Sequence, residues 1–367
     1  MTGVYIHIPF CIKKCVYCDF LSFEEKSFEE YVRALIKELK AAHFSGKIDT
    51  VYIGGGTPTE LPSLFLYEIL QAIKAFPLMP GAEITIEANP GTLNAEYLQA
   101  LKSNGVTRLS IGLQATQPFL LRALGRAHTF DEFANNFCAA RNVGFKNINI
   151  DLMFSLPMQQ IQHWQETLEA VISLSPEHIS AYSLTPAENT PLWGKIERGE
   201  LTLPDDAADR EMYHEARKML ADAGYVQYEI SNFSKPGYES RHNINCWTMK
   251  PYIGFGLGAH SFDGKIRWSN AENFKDYYYG IKNILPVLLK ADLMAETMIL
   301  GLRLTRGVNE KEFAEKFSAS PSEIYKNEIE KLKTAGLLNQ EKKHLFLTPR
   351  GMDLANHVFC EFIQAVP

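Results

Sequence analysis

The chain lacks the features that mark an exported or membrane-spanning protein. No stretch approaches the ~20 consecutive apolar residues a spanning helix needs. Met1-Thr2-Gly3 leads straight into the strand-like "VYIHI", with no basic or apolar leader, so no secretory signal is expected. Cysteine is scarce, six in 367 residues, and three of the six crowd together. That excludes a disulfide framework and fits a reducing cytoplasm. An excess of positive charge is also missing: 37 basic against 43 acidic residues give a formal charge of -6, a poor basis for gripping a phosphate backbone. Low-complexity segments are absent. With 46% hydrophobic and 22% charged residues, the composition is that of a globular protein with a sizeable core. The length suits one large domain and a smaller one.

β-branched runs recur at "VYIHI" (4–8), "TVYIG" (50–54), "ITIEA" (84–88), "RLSIG" (108–112), "INIDL" (148–152) and "ISAYSL" (179–184). Stretches of helical periodicity separate them, at 27–44, 61–76, 94–105, 131–144 and 163–174. Asn94 and Asp131 read as N-caps, and Gly105 and Gly144 stand where glycines end helices. Six such units predict an α/β fold with a parallel sheet, a partial (βα)6 TIM-like barrel two units short of closure. "YVQYEISNF" (225–233) and "KIRWSN" (265–270) read as strands without long intervening helices, a mixed extension of the sheet. Residues 1–285 form this core in the sequence reading, and 286–367 a C-terminal helical domain. There, helical stretches and the hairpin-like "HLFLTPRG" suggest a winged-helix-like module, acting as packing or lid rather than on nucleic acid.

Chemistry concentrates after the first strand. "PFCIKKCVYCDF" places Cys11, Cys15 and Cys18 at C-x₃-C-x₂-C spacing, in the loop where α/β barrels carry their sites. Thiolates favour iron–sulfur clusters, zinc or Cu(I). A zinc site would need a fourth ligand such as His7; a [4Fe–4S] cube held by three cysteines would leave one iron open. After the second strand, "YIGGGTPTEL" (52–61) brings three glycines, which let a ligand approach closely and expose backbone N–H and C=O groups. As a phosphate loop it is poor, since no GK[ST] follows.

The two motifs together closely resemble the radical S-adenosylmethionine (SAM) superfamily. The resemblance implies that SAM completes the open iron, and that an electron from the cluster cleaves it to methionine and a 5′-deoxyadenosyl radical. More of the chain, "VYIHIPFC", "GGGTPT", "IEANPGT", "LSIGLQ", "LGRAH", "NIDLMFSLP", "YEISNFSKPGY" and "GFGLGAHSF", resembles the oxygen-independent coproporphyrinogen III oxidases and their relatives. The resemblance implies that Cys11, Cys15 and Cys18 ligate the cluster and that Tyr5 and Tyr17 pack beside it. Gly55, Gly56 and Thr57 would meet the amino-acid end of SAM. Glu87, Gln114, Arg126 and Asp151 would bind its polar groups, although Arg126 also reads as a surface charge.

Within this family the chain resembles the haem-chaperone branch. The oxidases carry another cysteine two places after the third, where Phe20 stands here, and a long arm ahead of the cluster. The branch's haem motif is His-Asn-x-x-Tyr; "RHNINCW" matches at His242 and Asn243 but holds Cys246 in the tyrosine place, either a substitute ligand or a small buried side chain. The implied partners are haem as cargo, SAM, acceptor haemoproteins and an electron donor. Nucleic acid is not expected, and any contact with membrane haemoproteins would be peripheral. The alternative is an oxidase that decarboxylates coproporphyrinogen III.

Overall fold

In the computed structural model, which describes residues 1–24 and 26–364, the six β-branched runs become six parallel strands. β1 (Thr2–Ile8), β2 (Ile48–Gly55), β3 (Leu78–Ala88), β4 (Arg108–Gln114), β5 (Ile148–Phe154) and β6 (His178–Ser183) lie side by side in chain order. Helices Phe28–Lys40, Ser63–Lys74, Ala95–Ser103, Phe130–Val143 and Ile161–Leu174 connect them. One phase of each strand is apolar and buried: Val4, Ile6 and Ile8, then Val51 and Ile53, Ile84 and Ile86, Leu109 and Ile111, Ile150 and Leu152, Ile179 and Ala181. These pack with Leu35, Leu66, Ile69, Leu98, Phe133 and Leu168 of the helices in one core. The other phase is polar: Tyr5 and His7, Thr50 and Tyr52, Glu83, Thr85 and Glu87, Arg108 and Ser110, Asn149 and Asp151, His178 and Ser180. Parallel strands are usually apolar on both faces. The alternation here means that the inner face is built for something other than packing.

The sheet continues beyond both edges of the six. At one edge, β8 (Asn232–Ser234) adds antiparallel to β6, and β7 (Val226–Glu229) antiparallel to β8. "YVQYEISNF" is therefore two strands, not one; the buried Glu229 carboxylate accepts from the Ser231 N–H and the Asn232 amide and holds the turn between them. At the other edge, β9 (Tyr252–Phe255) is parallel to β1, and β10 (His260–Phe262), β11 (Arg267–Asn270) and β12 (Lys282–Ile284) follow antiparallel. The extension is thus mixed, as expected, but its first strand is parallel and was not separated from its neighbours in the sequence. β12 and β7 end the twelve-stranded sheet without joining, so the barrel is open. The expected N-cap Asp131 lies in the first helical turn; Thr129 caps instead, its hydroxyl accepting from the Glu132 N–H. Asn94 caps as expected, and Gly105 and Gly144 adopt positive φ at helix ends.

Residues 290–364 gather a separate apolar core around Met298, Leu302, Phe313, Ile329, Leu345 and Phe362. Its sheet runs β13 (Val308–Asn309), β15 (His344–Leu347), β14 (Leu338–Glu341), all antiparallel, beside helices Lys290–Arg303, Glu310–Phe317, Lys326–Thr334 and Ala355–Gln364. The stretch "PSEIYKNEIEKLKT" breaks into two helices at Tyr325, a buried ring packed edge-on against Phe362. Backbone hydrogen bonds from Ile230 to Arg303 and from Thr305 to Tyr228 fasten this unit to the β7–β8 edge. Among the described residues no helix is long and apolar enough to cross a membrane.

Trp164 anchors the layer behind β5: it is fully buried, packs on Phe154, and its Nε1 donates to the Met212 carbonyl at 2.8 Å. Trp164→Ala is expected to lose about 3–5 kcal/mol of unfolding free energy, measured by denaturant titration.

Candidate functional site

At the C-terminal ends of the six parallel strands lies a cavity of about 480 Å³. It is lined from the β1 loop (Cys11, Cys15, Tyr17, Cys18) round to the end of β6 (Tyr182). Six flat strands would span roughly 24 Å, so one cavity touching all of them requires the sheet to curl round it.

The cysteine loop is fixed by its backbone. Cys11 N donates to the Phe23 carbonyl at 2.9 Å, Phe23 N to Pro9 at 2.7 Å and Val16 N to Leu124 at 3.2 Å. His7 sits under the loop, Nε2 against the Leu21 carbonyl at 2.7 Å and Nδ1 against the Tyr5 hydroxyl at 3.0 Å. Both ring nitrogens being engaged, His7 has none left for a metal, and the Cys₃His zinc site loses its fourth ligand. The three thiols are free and half-buried. Among the described residues no three His, Cys, Asp or Glu side chains gather round one ion position. Burial pushes the Cys11 and Cys18 thiols up. Two donors address the sulfurs: Thr57 Oγ1 reaches Cys11 Sγ, and an Arg126 nitrogen reaches Cys15 Sγ, each at 3.7 Å.

The glycine loop is not the open N–H cradle its sequence suggested. Gly56 N donates to the Ile8 carbonyl at 2.8 Å, Thr57 N to Phe10 at 2.7 Å, and Gly55 N to a Glu87 oxygen at 3.1 Å. Its donors are spent on clasping the cysteine loop and on Glu87. The glycines are required by close packing: a Cβ on Gly56 would stand 2.6 Å from the Phe10 carbonyl oxygen, and one on Gly55, at φ +111°, would strike the His7 ring.

The remaining wall is polar and hydrogen-bonded. Glu87 also accepts from the Tyr52 hydroxyl at 2.7 Å, and burial, partly offset by that bond, pushes its carboxyl up to about 7. Asp151 accepts from Ser110 and from the Asn149 amide. Arg126 is no surface charge: its guanidinium donates to Asn89 and to the Gly112 carbonyl, while its buried Nε lacks a partner. Gln114, at φ +71°, turns into the cavity where β4 shifts register. The cavity thus gathers Cys11, Cys15, Cys18, Tyr17, Gly55, Gly56, Thr57, Glu87, Gln114, Arg126 and Asp151. Tyr5 lies behind it, stacked on Tyr52. Asn89 was missed. It bridges Thr57 and Arg126, and its place two residues beyond Glu87, in the same strand phase, was the available signal.

His242 and Asn243 are elsewhere. Helix Arg241–Trp247 closes the opposite end of the barrel, its first two N–H groups donating to Glu83. His242 is buried there, with Nδ1 3.0 Å from Thr50 Oγ1 and its ring against Tyr52. Thr50 and Gly55 are five residues apart on β2, about 16 Å. Burial lowers the His242 imidazole to about 4 and raises the Cys246 thiol to about 11.

An open α/β barrel with three free cysteines clasped to a glycine loop at its C-terminal mouth defines a protein of the radical SAM class. Residues 5–171 match the family model described as Radical SAM superfamily, and 288–354 that of the HemN C-terminal domain. The chain is 37% identical to "Heme chaperone HemW" of Bacillus subtilis over 99% of each chain. It is 40% identical to the Escherichia coli protein of that name over 72% of this chain and 70% of the other. Of the solved structures, the Escherichia coli radical SAM enzyme "Coproporphyrinogen III oxidase (HemN)" superposes with a TM-score of 0.85 at 21% identity, covering 98% of this chain and 89% of that one, a likeness of fold. The chain belongs to the HemW family of the radical SAM superfamily.

Two outcomes check the geometry. Gly56→Ala should lower the iron and sulfide bound after anaerobic reconstitution, while Gly46→Ala, with open space around its Cβ, should not. Glu87 holds its proton more tightly folded (about 7) than its ordinary 4.5. The stability this gives is complete below about 4.5 and lost as pH rises through about 7. Thermal unfolding of the cofactor-free chain should show that decline, and Glu87→Gln should flatten it.

Proposed function

We propose that this protein is a haem chaperone that holds a [4Fe–4S] cluster and SAM at the cavity and delivers haem to acceptor haemoproteins. The observation that carries the cofactor reading is the convergence of three thiols with Glu87, Gln114, Arg126 and Asp151 on one cavity. Cys11, Cys15 and Cys18 would hold the cluster, whose bound form supplies an electron to SAM. Thr57 donates toward the Cys11 sulfur and so favours its charged state, and Arg126 donates toward the Cys15 sulfur. The glycine loop has no spare N–H for an anion, and Glu87 and Asp151 face the cavity as acceptors, an environment suited to the amino and hydroxyl groups of SAM. The unpartnered Arg126 Nε is a donor for its carboxylate side. Tyr17 contributes an apolar wall.

For haem, likeness to the chaperones over nearly the whole chain and Phe20 in the oxidases' cysteine place support the reading. His242 has properties a haem ligand needs: it is neutral above about pH 4, and the Thr50 bond at Nδ1 orients the ring and leaves Nε2 for iron. Its burial means that haem engages it only after helix Arg241–Trp247 shifts. On this reading residues 1–285 carry the cofactors, and the C-terminal unit that begins at 286 braces the edge next to that helix, residues 365–367 lying outside the described ones.

Anaerobically reconstituted protein titrated with haem should develop a saturable Soret band, and His242→Ala should weaken binding by at least about tenfold. Absence of saturable binding would defeat the chaperone reading. Carbon dioxide released from coproporphyrinogen III in the presence of SAM and a reductant would establish the oxidase instead.

A further inference from the structure

Away from the cofactor cavity the outer helices part to leave a cleft of about 620 Å³, within the ~300–1,000 Å³ usual for small-ligand sites. Its walls are the later turns of helices Phe28–Lys40 and Ser63–Lys74 and the connectors that lead from them into β2 and β3. The floor is apolar. Leu39 and Phe76 are buried there, and the Phe44 and Phe76 rings meet at a centroid distance of 4.7 Å, with Phe255 of β9 behind them. Lys40, His43, Tyr67 and Glu68 stand exposed at its rim. Among the described residues none of these side chains has a hydrogen-bond, ion-pair or ring partner. His43 is thus open to a ligand, whereas His242 lies buried on its helix.

We propose that this cleft is where haem first docks, with His43 as axial ligand to the iron. The inference rests on the reading of the protein as a haem carrier. A free imidazole on a protein surface is ordinary; one at the edge of an aromatic-floored cleft is a donor set of a particular kind. Haem is a flat apolar disc with iron at its centre and carboxylates along one edge. The disc covers the Phe44 and Phe76 floor, and a neutral imidazole takes the iron. The Lys40 ammonium meets an edge carboxylate, while Glu68, on the facing helix, repels the carboxylates and so turns them towards Lys40. The location also suits handover. The Pro77 carbonyl, at the cleft, accepts from the Ile48 N–H at 3.0 Å. The next residue, Asp49, accepts at 3.1 Å from Asn245 of the helix that carries His242. Cleft and buried histidine therefore flank the same end of β2, one outside the barrel and one within.

Haem mixed rapidly with the anaerobically reconstituted full chain should give a fast Soret change whose rate rises with haem concentration, then a slower one independent of it. His43→Ala should slow the fast phase by about tenfold or more. His260→Ala, which removes an exposed imidazole outside the cleft, should leave that phase unchanged. Ala75→Trp, which fills the cleft and leaves His43 in place, should act like His43→Ala. His43→Cys should give the fast-phase product a thiolate-ligated spectrum, which a merely structural effect would not produce. His242→Ala should lose the slow phase and keep the fast one. A fast phase that survives both His43→Ala and Ala75→Trp, or that falls equally in His260→Ala, overturns the cleft assignment and leaves the carrier reading standing. Wild-type protein that never binds haem saturably overturns the carrier reading, and the cleft falls with it.

Discussion

Two backbone hydrogen bonds, from Gly56 to Ile8 and from Thr57 to Phe10, hold the site together. They extend the parallel pairing of β1 and β2 past its last rung, Ile8 with Gly55, into the loops themselves. The cysteine loop is therefore an appendage of the sheet rather than a free turn, and its thiols inherit the sheet's rigidity. This clasp needs glycine at Gly56, because any side chain would collide with the carbonyl that accepts the neighbouring bond. Glu87, Arg126 and Asn89 then organise against a framework that is already fixed.

The second constraint is the polar inner face. A barrel filled with branched aliphatic side chains is a packed core; this one must satisfy its buried polar groups. Asn149 does much of that, its amide donating to Asp151 and Ser110 while its oxygen meets His178 and Ser180. His178 passes the chain on to the Tyr228 hydroxyl, which accepts from Ser240, the cap of helix Arg241–Trp247. A continuous set of hydrogen bonds thus runs from the cavity wall to the far end of the barrel. Such networks specify one arrangement closely, because leaving any member unpaired is expensive.

Much of this was legible in the sequence, for local reasons. Period-two strands, helical spacing and the Asn94 cap are properties of short windows, and the six βα units emerged as expected. Cysteine spacing pointed to the thiol loop because its three cysteines sit within eight residues. What the sequence hid was relational. The pairing of Tyr252–Phe255 with β1 joins segments some 250 residues apart. The engagement of His7 by Tyr5 and Leu21, and the spending of the glycine-loop N–H groups, depend on which chain ends up above which. Thr129 displaced Asp131 as a cap because Glu132 completes a reciprocal bond that only Thr129 is placed to share. His242 read as a binding residue from its motif; its burial sixteen or so ångströms from the cavity end, on the order of five strand residues, was invisible in one dimension.

That burial bears on timing. Helix Arg241–Trp247 is latched by Glu83 at its start and by Asp49 on Asn245. A cargo that grips His242 must wait for these latches to open together, so uptake and release would be governed by the opening rate of a seven-residue lid. Such rearrangements belong to the microsecond-to-second range rather than to diffusion. If His242 is the point of attachment, escape would be slow, and a receiving protein that unseats the helix would set the moment of handover.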